Sequence, residues 1–275
     1  MIIGASGFLG SRLLALAPRL VELVGTGNNR PVRRGSWHDA RLDVTSPSAV
    51  QALIGEQRPG AVFYTSYSTA DRAVTVDGAR LAARAASQAG ARFVFLSTDL
   101  VYDGRHGNYN EEMPAQPVMP YGRLKIEAEA AVKDAHPDAV IIRPSLMSGE
   151  SGMMLRPAYE CSALVRGMPV DLYADEWRSP VHVDDVARAA WELASLDVSG
   201  TWHLGGPDRM TRLELGRILC SLYQFDPSLL REAKRPEDRP RDTSLNSARA
   251  VNLLGWQPRS LRSLVAPPEL DTVGV

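Results

Sequence analysis

Tyr121 and Lys125 stand four residues apart in Tyr121-Gly-Arg-Leu-Lys125. On a helix that spacing puts a phenol and an ammonium on one face. An unperturbed phenol titrates near pH ~10, too high for easy proton exchange at neutrality. A neighbouring cation stabilises the phenolate and lowers that value. The pair therefore predicts a tyrosine that gives a proton to a carbonyl or takes one from an alcohol. Upstream, Phe93-Val-Phe-Leu-Ser97-Thr98-Asp99 runs from an apolar, β-prone stretch into hydroxyls. The carboxyl edge of a parallel sheet is where such folds bind ligands. Thr98 or Ser97 is placed there to orient and polarise a carbonyl.

Gly4-Ala-Ser-Gly7-Phe-Leu-Gly10 follows the short apolar run Met1–Ile3 and opens a helical pattern. A chain that cradles a pyrophosphate must turn sharply, bring its backbone close and pack helix on strand. Each demand excludes a side chain at one glycine. Backbone N–H groups and the positive end of the helix dipole then meet the phosphates. The motif predicts a dinucleotide against Gly4, Ser6, Gly7, Phe8, Leu9 and Gly10. The spacing is GxxGxxG rather than GxGxxG, and three glycines alone also fit an unrelated tight turn.

An acid after the second strand would hold the ribose 2′-hydroxyl of NAD. The chain instead reads Gly25-Thr-Gly-Asn28-Asn29-Arg30, with Arg33 and Arg34 following. Guanidinium groups suit a dianionic 2′-phosphate. NADP is therefore expected, with Asn28 and Arg30 beside it, and NAD is the alternative. Asp43 and Val44 are candidates to border the adenine, Asp43 accepting from its amino group. An ordinary turn acid is the other reading of Asp43.

Which elements must position these groups? The 275 residues, 44% apolar and 23% charged, are enough for one large core and a small lobe. A net charge of -1 points away from nucleic acid and anionic membranes as partners. The only cysteines, Cys161 and Cys220, sit in apolar helical stretches, which fits a reducing, cytoplasmic setting better than a disulfide framework. There is no metal-type Cys/His spacing and no apolar run long enough to span a membrane. The apolar start is read as a buried strand, not a signal peptide.

Strands are expected at Met1–Ile3, Leu20–Val24, Ala61–Tyr64, Phe93–Ser97, Val140–Arg143 and Thr201–Leu204. Helices are expected at Gly10–Ala17, Ala49–Ile54 behind Ser46 and Pro47, Val76–Ala89, Tyr121–Ala131, Met154–Gly167, Val183–Ala194 and Asn246–Leu254. One more helix opens from a capping box of Thr211 and Glu214. Lys234–Arg241 is a loop, and the tail past Pro267 is expected to fray. The alternation predicts an α/β Rossmann fold, a doubly wound parallel sheet. Residues 1–150 would form the dinucleotide-binding part, with a strand and helix returning from 179–205. Residues 151–275 would mainly form a small C-terminal α/β substrate lobe.

The segments GASGFLG, STDLVYDG at 97–104, YGRLK, IIRPS at 141–145 and SPVHVDDVARA at 179–189 come in an order that resembles the extended short-chain dehydrogenase/reductase family. That family lies within the NAD-dependent epimerase/dehydratase superfamily. The resemblance covers nearly the whole chain. DEWRSPVHVDDVA at 175–187 and RPRDTSLNSARA at 239–250 make it most similar to the dTDP-4-dehydrorhamnose reductase branch. It implies Thr98, Tyr121 and Lys125 as the catalytic set, with Lys125 also holding the nicotinamide ribose. The implied reaction is reduction of a ketone, such as a 4-keto nucleotide sugar, with Tyr121 as proton donor.

Three segments depart from the family pattern. Val62–Tyr67 is bulkier than usual and would place Tyr64 and Ser66 against the cofactor ribose. Val74–Gly78 lacks the usual asparagine, and Gly149–Met154 replaces a segment that often grips the sugar nucleotide. Candidate substrate contacts are Ser97, Asp99, Arg178 and Arg239, with Met153, Met154 and Trp177 as an apolar wall or as ordinary packing. Arg235 and Arg241 could join Arg239 on a diphosphate or belong to a solvated loop. An epimerase or dehydratase with retained NAD is one rival reading. A non-catalytic regulatory subunit, like that of methionine adenosyltransferase, is another, which the intact Thr98, Tyr121 and Lys125 argue against. A homodimer is compatible with all three.

Overall fold

Ile2 and Ile3 point to opposite sides of one strand, yet both are buried. Side chains alternate along a strand, so two buried neighbours need cover on both faces. The computed structural model describes residues 1–32, 35, 37–151 and 154–265, without the side chains of 151, 154–156, 158 and 159. Seven strands make its main sheet: β1 (Ile2–Ile3), β2 (Val24–Gly27), β3 (His38–Arg41), β4 (Ala61–Tyr64), β5 (Arg92–Leu96), β6 (Val140–Pro144) and β7 (Gly200–Leu204). All neighbours pair in parallel, in the order β7-β6-β5-β4-β1-β2-β3. This is the doubly wound Rossmann sheet that the alternation predicts.

The helices cover both faces. In chain order they are α1 (Phe8–Ala15), α2 (Pro47–Gln57), α3 (Gly78–Gln88), α4 (Pro120–Ala135), α5 (Ala158–Val165), α6 (Val183–Ser195), α7 (Arg212–Tyr223) and α8 (Ala248–Leu254). On one face Ile2, Phe63, Val94 and Ile142 meet Leu13 of α1 and Val186 and Leu193 of α6. On the other, Ile3, Val62, Phe93, Phe95 and Ile141 meet Ile54 of α2, Ala82 of α3 and Val132 of α4. Burying a side chain of this size stabilises the fold by about 1.5–3 kcal/mol, so two full faces carry most of the cohesion.

After β6 the chain makes shorter pairings. Met147–Ser151 pairs with Val181–His182 and Met154–Arg156, Val170–Tyr173 with Leu230–Ala233, and Trp177–Arg178 with Met210–Thr211. Thr211 and Glu214 form the expected reciprocal cap on α7.

Four local expectations need correction. The second strand is Val24–Gly27, not Leu20–Val24: Leu20 has a positive φ and is fully exposed. His38–Arg41 is a strand that apolar alternation could not reveal, because as the sheet's edge it is largely exposed. Met154–Arg156 is extended, so the helix expected from Met154 begins only at Ala158. The helix expected from Val76 begins at Gly78, behind a π-helical turn at Ala73–Asp77. The tail past Pro267 lies outside the described residues.

The tightest contact in this scaffold is backbone on backbone. A Cβ on Gly10 would stand 2.2 Å from the Gly4 carbonyl oxygen and 2.8 Å from Ala5 Cα. Gly4 has φ +89, and a Cβ there would meet the Ser66 backbone nitrogen at 2.8 Å. Gly10→Ala is therefore expected to destabilise the protein by about 1–3 kcal/mol or more, the usual range for overpacking. A urea unfolding midpoint equal to that of the wild type would refute this close approach.

Candidate active site

A cleft of about 640 Å³ opens at the carboxyl edge of the sheet. It lies where the strand order reverses between β1 and β4, the place such sheets bind ligands. Gly7, Phe8, Leu9 and Gly10 line it from the turn after β1 and the start of α1. Gly7 caps α1 without a side-chain bond, and the first turn carries no acid. The positive helix end is therefore not neutralised locally by a carboxylate. Gly4 and Ser6 sit behind this wall, Gly4 against Ser66 and Ser6 against Gly27. Arg30 lines the cleft from the loop after β2. Arg33, Arg34 and Met153 lie outside the described residues.

The other walls come from the remaining strand ends. Tyr67 follows β4, Ser97, Thr98 and Asp99 follow β5, and Tyr121 and Lys125 project from α4. The cleft thus collects Gly7, Gly10, Thr98, Tyr121, Lys125, Arg178 and Arg239 although the sequence separates them widely.

Several candidates lie elsewhere. Tyr64 is fully buried in the core, its hydroxyl donating to the Val74 carbonyl at 2.7 Å, so it does not face the cleft. Val44 is buried in the same core. Asn28 and Asp43 are exposed and do not line the cleft. The Asp43 carboxylate accepts from the Thr45 N–H at 2.9 Å and the Thr45 hydroxyl at 2.7 Å, a turn ahead of α2. Trp177 lies under the Arg209 guanidinium, 4.0 Å from its ring centre, and is not part of the lining either.

The tyrosine and lysine do share one face of α4, but their electrostatics oppose the simple expectation. Burial pushes the Tyr121 phenol up, and the nearby Tyr67 and Asp99 add to that. Burial pushes the Lys125 amine down to about 7, with Glu129 working the other way. Lys125 Nζ donates to the Leu96 carbonyl at 2.7 Å and stands 5.9 Å from the Tyr121 ring centre. Apolar surroundings disfavour both ions, so each side chain leans to its neutral form. In the structure burial therefore favours the neutral phenol at Tyr121.

Buried charge organises the far end. Asp99 Oδ2 accepts from Arg178 Nη1 at 2.8 Å and from the Ser145 hydroxyl at 3.0 Å. Thr98 Oγ1 lies 3.3 Å from Asp99 Oδ1 and accepts from the Leu100 N–H at 3.2 Å. Glu176 accepts from Arg178 Nη2 at 3.1 Å and from Arg239 Nε at 2.7 Å. Burial works to raise Glu176, but these two guanidinium groups hold it below the usual carboxylate range. Arg212 pairs with Glu160, and burial with the facing Arg239 pulls it down to about 10.

Glu176 and Arg212 were not among the sequence candidates. Glu176 and Arg178 are two apart in an extended segment, which puts them on one side. That spacing was a usable signal. Arg212 reads only as the first residue after a helix cap. Ser97, expected near a substrate, lines the cleft while its hydroxyl donates to Glu129 at 2.5 Å. Glu129 in turn accepts two bonds from Arg143, at 2.9 and 2.6 Å. Among the described residues no His, Cys, Asp or Glu cluster could hold a metal, and no helix is long and apolar enough to cross a membrane.

Sheet, glycine turn and cleft define a Rossmann-type α/β protein with a crevice spanning the ends of β1, β4 and β5. The chain belongs to the family described as RmlD substrate binding domain, which it matches over residues 1–267. It is 30% identical to the dTDP-4-dehydrorhamnose reductase of Mycobacterium tuberculosis over 286 residues, 97% of this chain and 90% of that protein. It is 32% identical to a probable low-salt glycan biosynthesis reductase of Haloferax volcanii, over 64% of this chain and only 62% of that protein. The fold superposes on a dTDP-4-dehydrorhamnose reductase from Bacillus anthracis, solved with NADP, at a TM-score of 0.80 and 23% identity, covering 96% of this chain and 95% of that one.

Lys125 ties this site to stability. Its amine falls from 10.5 to about 7 on folding, so the folded state binds fewer protons between those values. Wild-type stability should rise with pH across that window, because the penalty for a buried cation is complete only below it. Lys125→Met removes the penalty. The variant should unfold at higher urea than the wild type at about pH 6, with the gap closing towards about pH 10. A gap that does not change with pH would contradict the buried-amine reading.

Proposed function

We propose that this chain is an NADPH-dependent ketoreductase acting on a 4-keto nucleotide sugar. The observation that carries the reading is one cleft lined by the α1 glycine turn together with Thr98, Tyr121 and Lys125. The residues fit a dinucleotide. Gly4 and Gly10 have no room for a Cβ, and the helix start they shape faces the cleft. Gly7, Phe8, Leu9 and Gly10 would hold the diphosphate with backbone N–H groups. Arg30 would meet the 2′-phosphate of NADP with a charge-assisted bond.

Bound NADPH would supply the hydride. Thr98 would hold the substrate carbonyl oxygen by its hydroxyl, an electrostatic contribution of about 3 kcal/mol for such donors. Tyr121 would give that oxygen its phenolic proton, which suits a phenol kept neutral by burial. Lys125, anchored on the Leu96 carbonyl, would use its remaining N–H groups to hold the nicotinamide ribose. Arg178 and Arg239 face the substrate end, and Glu176 fixes both. The related reductases of this family favour a sugar nucleotide as the ketone. The short-chain dehydrogenase pattern of Thr98, Tyr121 and Lys125 favours the same chemistry.

NADPH consumption with a dTDP-4-keto-6-deoxy sugar, read at saturating cofactor, tests the assignment. Tyr121→Phe should lower kcat at least about a hundredfold while NADPH affinity is kept. Near-normal turnover in that variant would sink the role of Tyr121. Arg30→Ala should weaken NADPH about tenfold and leave NADH unchanged, since one charge-assisted bond is lost. Tighter binding of NADH than NADPH by the wild type would overturn the cofactor assignment. No turnover of any ketone, with a stable complex to a second protein, would favour the regulatory-subunit reading.

A further inference from the structure

Two of the segments that set this chain apart from the family pattern, 62–67 and 74–78, meet in the structure. Thr75 is fully buried, and its hydroxyl engages both backbone groups of one loop residue. It accepts from the Ser68 N–H at 2.9 Å and donates to the Ser68 carbonyl at 2.7 Å. The Ser68 hydroxyl in turn accepts from the Asp71 N–H at 3.0 Å. At the other end of the loop, the Thr65 N–H and the Thr65 hydroxyl both donate to the Ile3 carbonyl, each at 2.9 Å. Tyr67 lies between these two anchors. Thr75 itself belongs to the π-helical turn Ala73–Asp77, which the Tyr64 hydroxyl holds through the Val74 carbonyl at 2.7 Å. Turns of this kind recur at functional sites.

What the anchored loop presents is an aromatic ring. Tyr67 lines the cleft with 50% of its surface exposed. Its ring centre lies 5.8 Å from that of Tyr121, the two planes inclined by 51°. In the reductase reading the ketone oxygen meets Tyr121, so the rest of the hexose that carries it comes within reach of Tyr67. A hexose shows C–H groups on its ring faces, and an aromatic face left in water gains by covering them. A ring that is already held gives up little freedom on binding. Resting on the reductase reading, we propose that Tyr67 is an aromatic platform for the sugar ring of the substrate, and that Thr75 is the positioning residue that sets it. The platform reads the sugar, not the nucleotide that carries it.

Calorimetry with NADPH bound, using dTDP and a dTDP-6-deoxyhexose as the two probes, separates sugar from nucleotide without any turnover. Tyr67→Ala should weaken the dTDP-hexose about tenfold, the scale of one lost aromatic contact, while dTDP and NADPH bind as they do to the wild type. Tyr67→Phe keeps the ring and should recover most of the loss. Thr75→Val keeps the shape but removes the hydroxyl, and should weaken the dTDP-hexose by a similar factor. Thr75→Ser should restore it. Added to Tyr67→Ala, Thr75→Val should cost this probe nothing further, because a loop without its ring has nothing to position. A merely structural Thr75 would weaken the probe equally in both backgrounds, and that additivity would overturn its positioning role. Equal weakening of dTDP or of NADPH by Tyr67→Ala would overturn the platform, and that variant decides the matter whether or not Thr75→Val folds. A wild type that binds neither dTDP nor the dTDP-hexose would overturn the sugar-nucleotide reading and the platform with it. A wild type that binds both, with Tyr67→Ala indistinguishable from it, would overturn the platform alone.

Discussion

Gly10 rides on the carbonyl of Gly4 with no room for a methyl group, and most of the cleft follows from that contact. It sets how close α1 can lie to β1. That distance fixes where the start of α1 presents its N–H groups, and it buries Leu13 against the sheet. Arg12 of the same helix grips Asp184 at the start of α6 at 2.6 Å, and Trp191 of α6 donates to the Leu13 carbonyl at 3.0 Å. One backbone approach thus couples the glycine turn to a helix contributed by a distant part of the chain. Removing it would move a wall of the site rather than a single contact.

A second level of order comes from buried ions. Asp99, Arg178, Glu176 and Arg239 form a chain in which each charge has a partner of opposite sign. Behind the cleft, Glu129 and Arg143 do the same, and Arg143 also donates to the Tyr102 hydroxyl at 2.7 Å. Such pairs add little net stability, because desolvation offsets most of their attraction, but breaking one costs about 3–5 kcal/mol. Their effect here is geometric. Asp99 follows β5, whereas Glu176 and Arg239 come from segments far along the chain. The ion chain holds those segments in one register over the sheet edge.

Tyr121 and Lys125 show how burial can reverse an expectation based on charge alone. Four-residue spacing puts both groups on one helix face, and two exposed groups so placed would lower the phenol and keep the amine charged. In the folded protein the Lys125 amine lies among Phe95, Tyr67 and the end of β5. Loss of water then outweighs mutual attraction, and both groups move towards neutrality.

The sequence by itself determined the layered sheet and the residue types at its edge. Runs such as Ala61–Tyr64 and Phe93–Leu96 are apolar at consecutive positions because both faces are covered, a local pattern with a direct cause. Gly4, Gly7 and Gly10, the cap at Thr211 and the Tyr121–Lys125 spacing were legible for the same reason, since each is a short-range constraint. His38–Arg41 was not, because an exposed edge strand needs no apolar pattern. Nor was the burial of Tyr64, whose hydroxyl finds its partner ten residues away at Val74. Only the tertiary structure decided that Arg178, Arg212 and Arg239 face one cleft, that Glu176 neutralises two of them and that the Tyr67 ring lies beside that of Tyr121. Those facts depend on desolvation and on contacts between distant segments, which residue spacing does not encode.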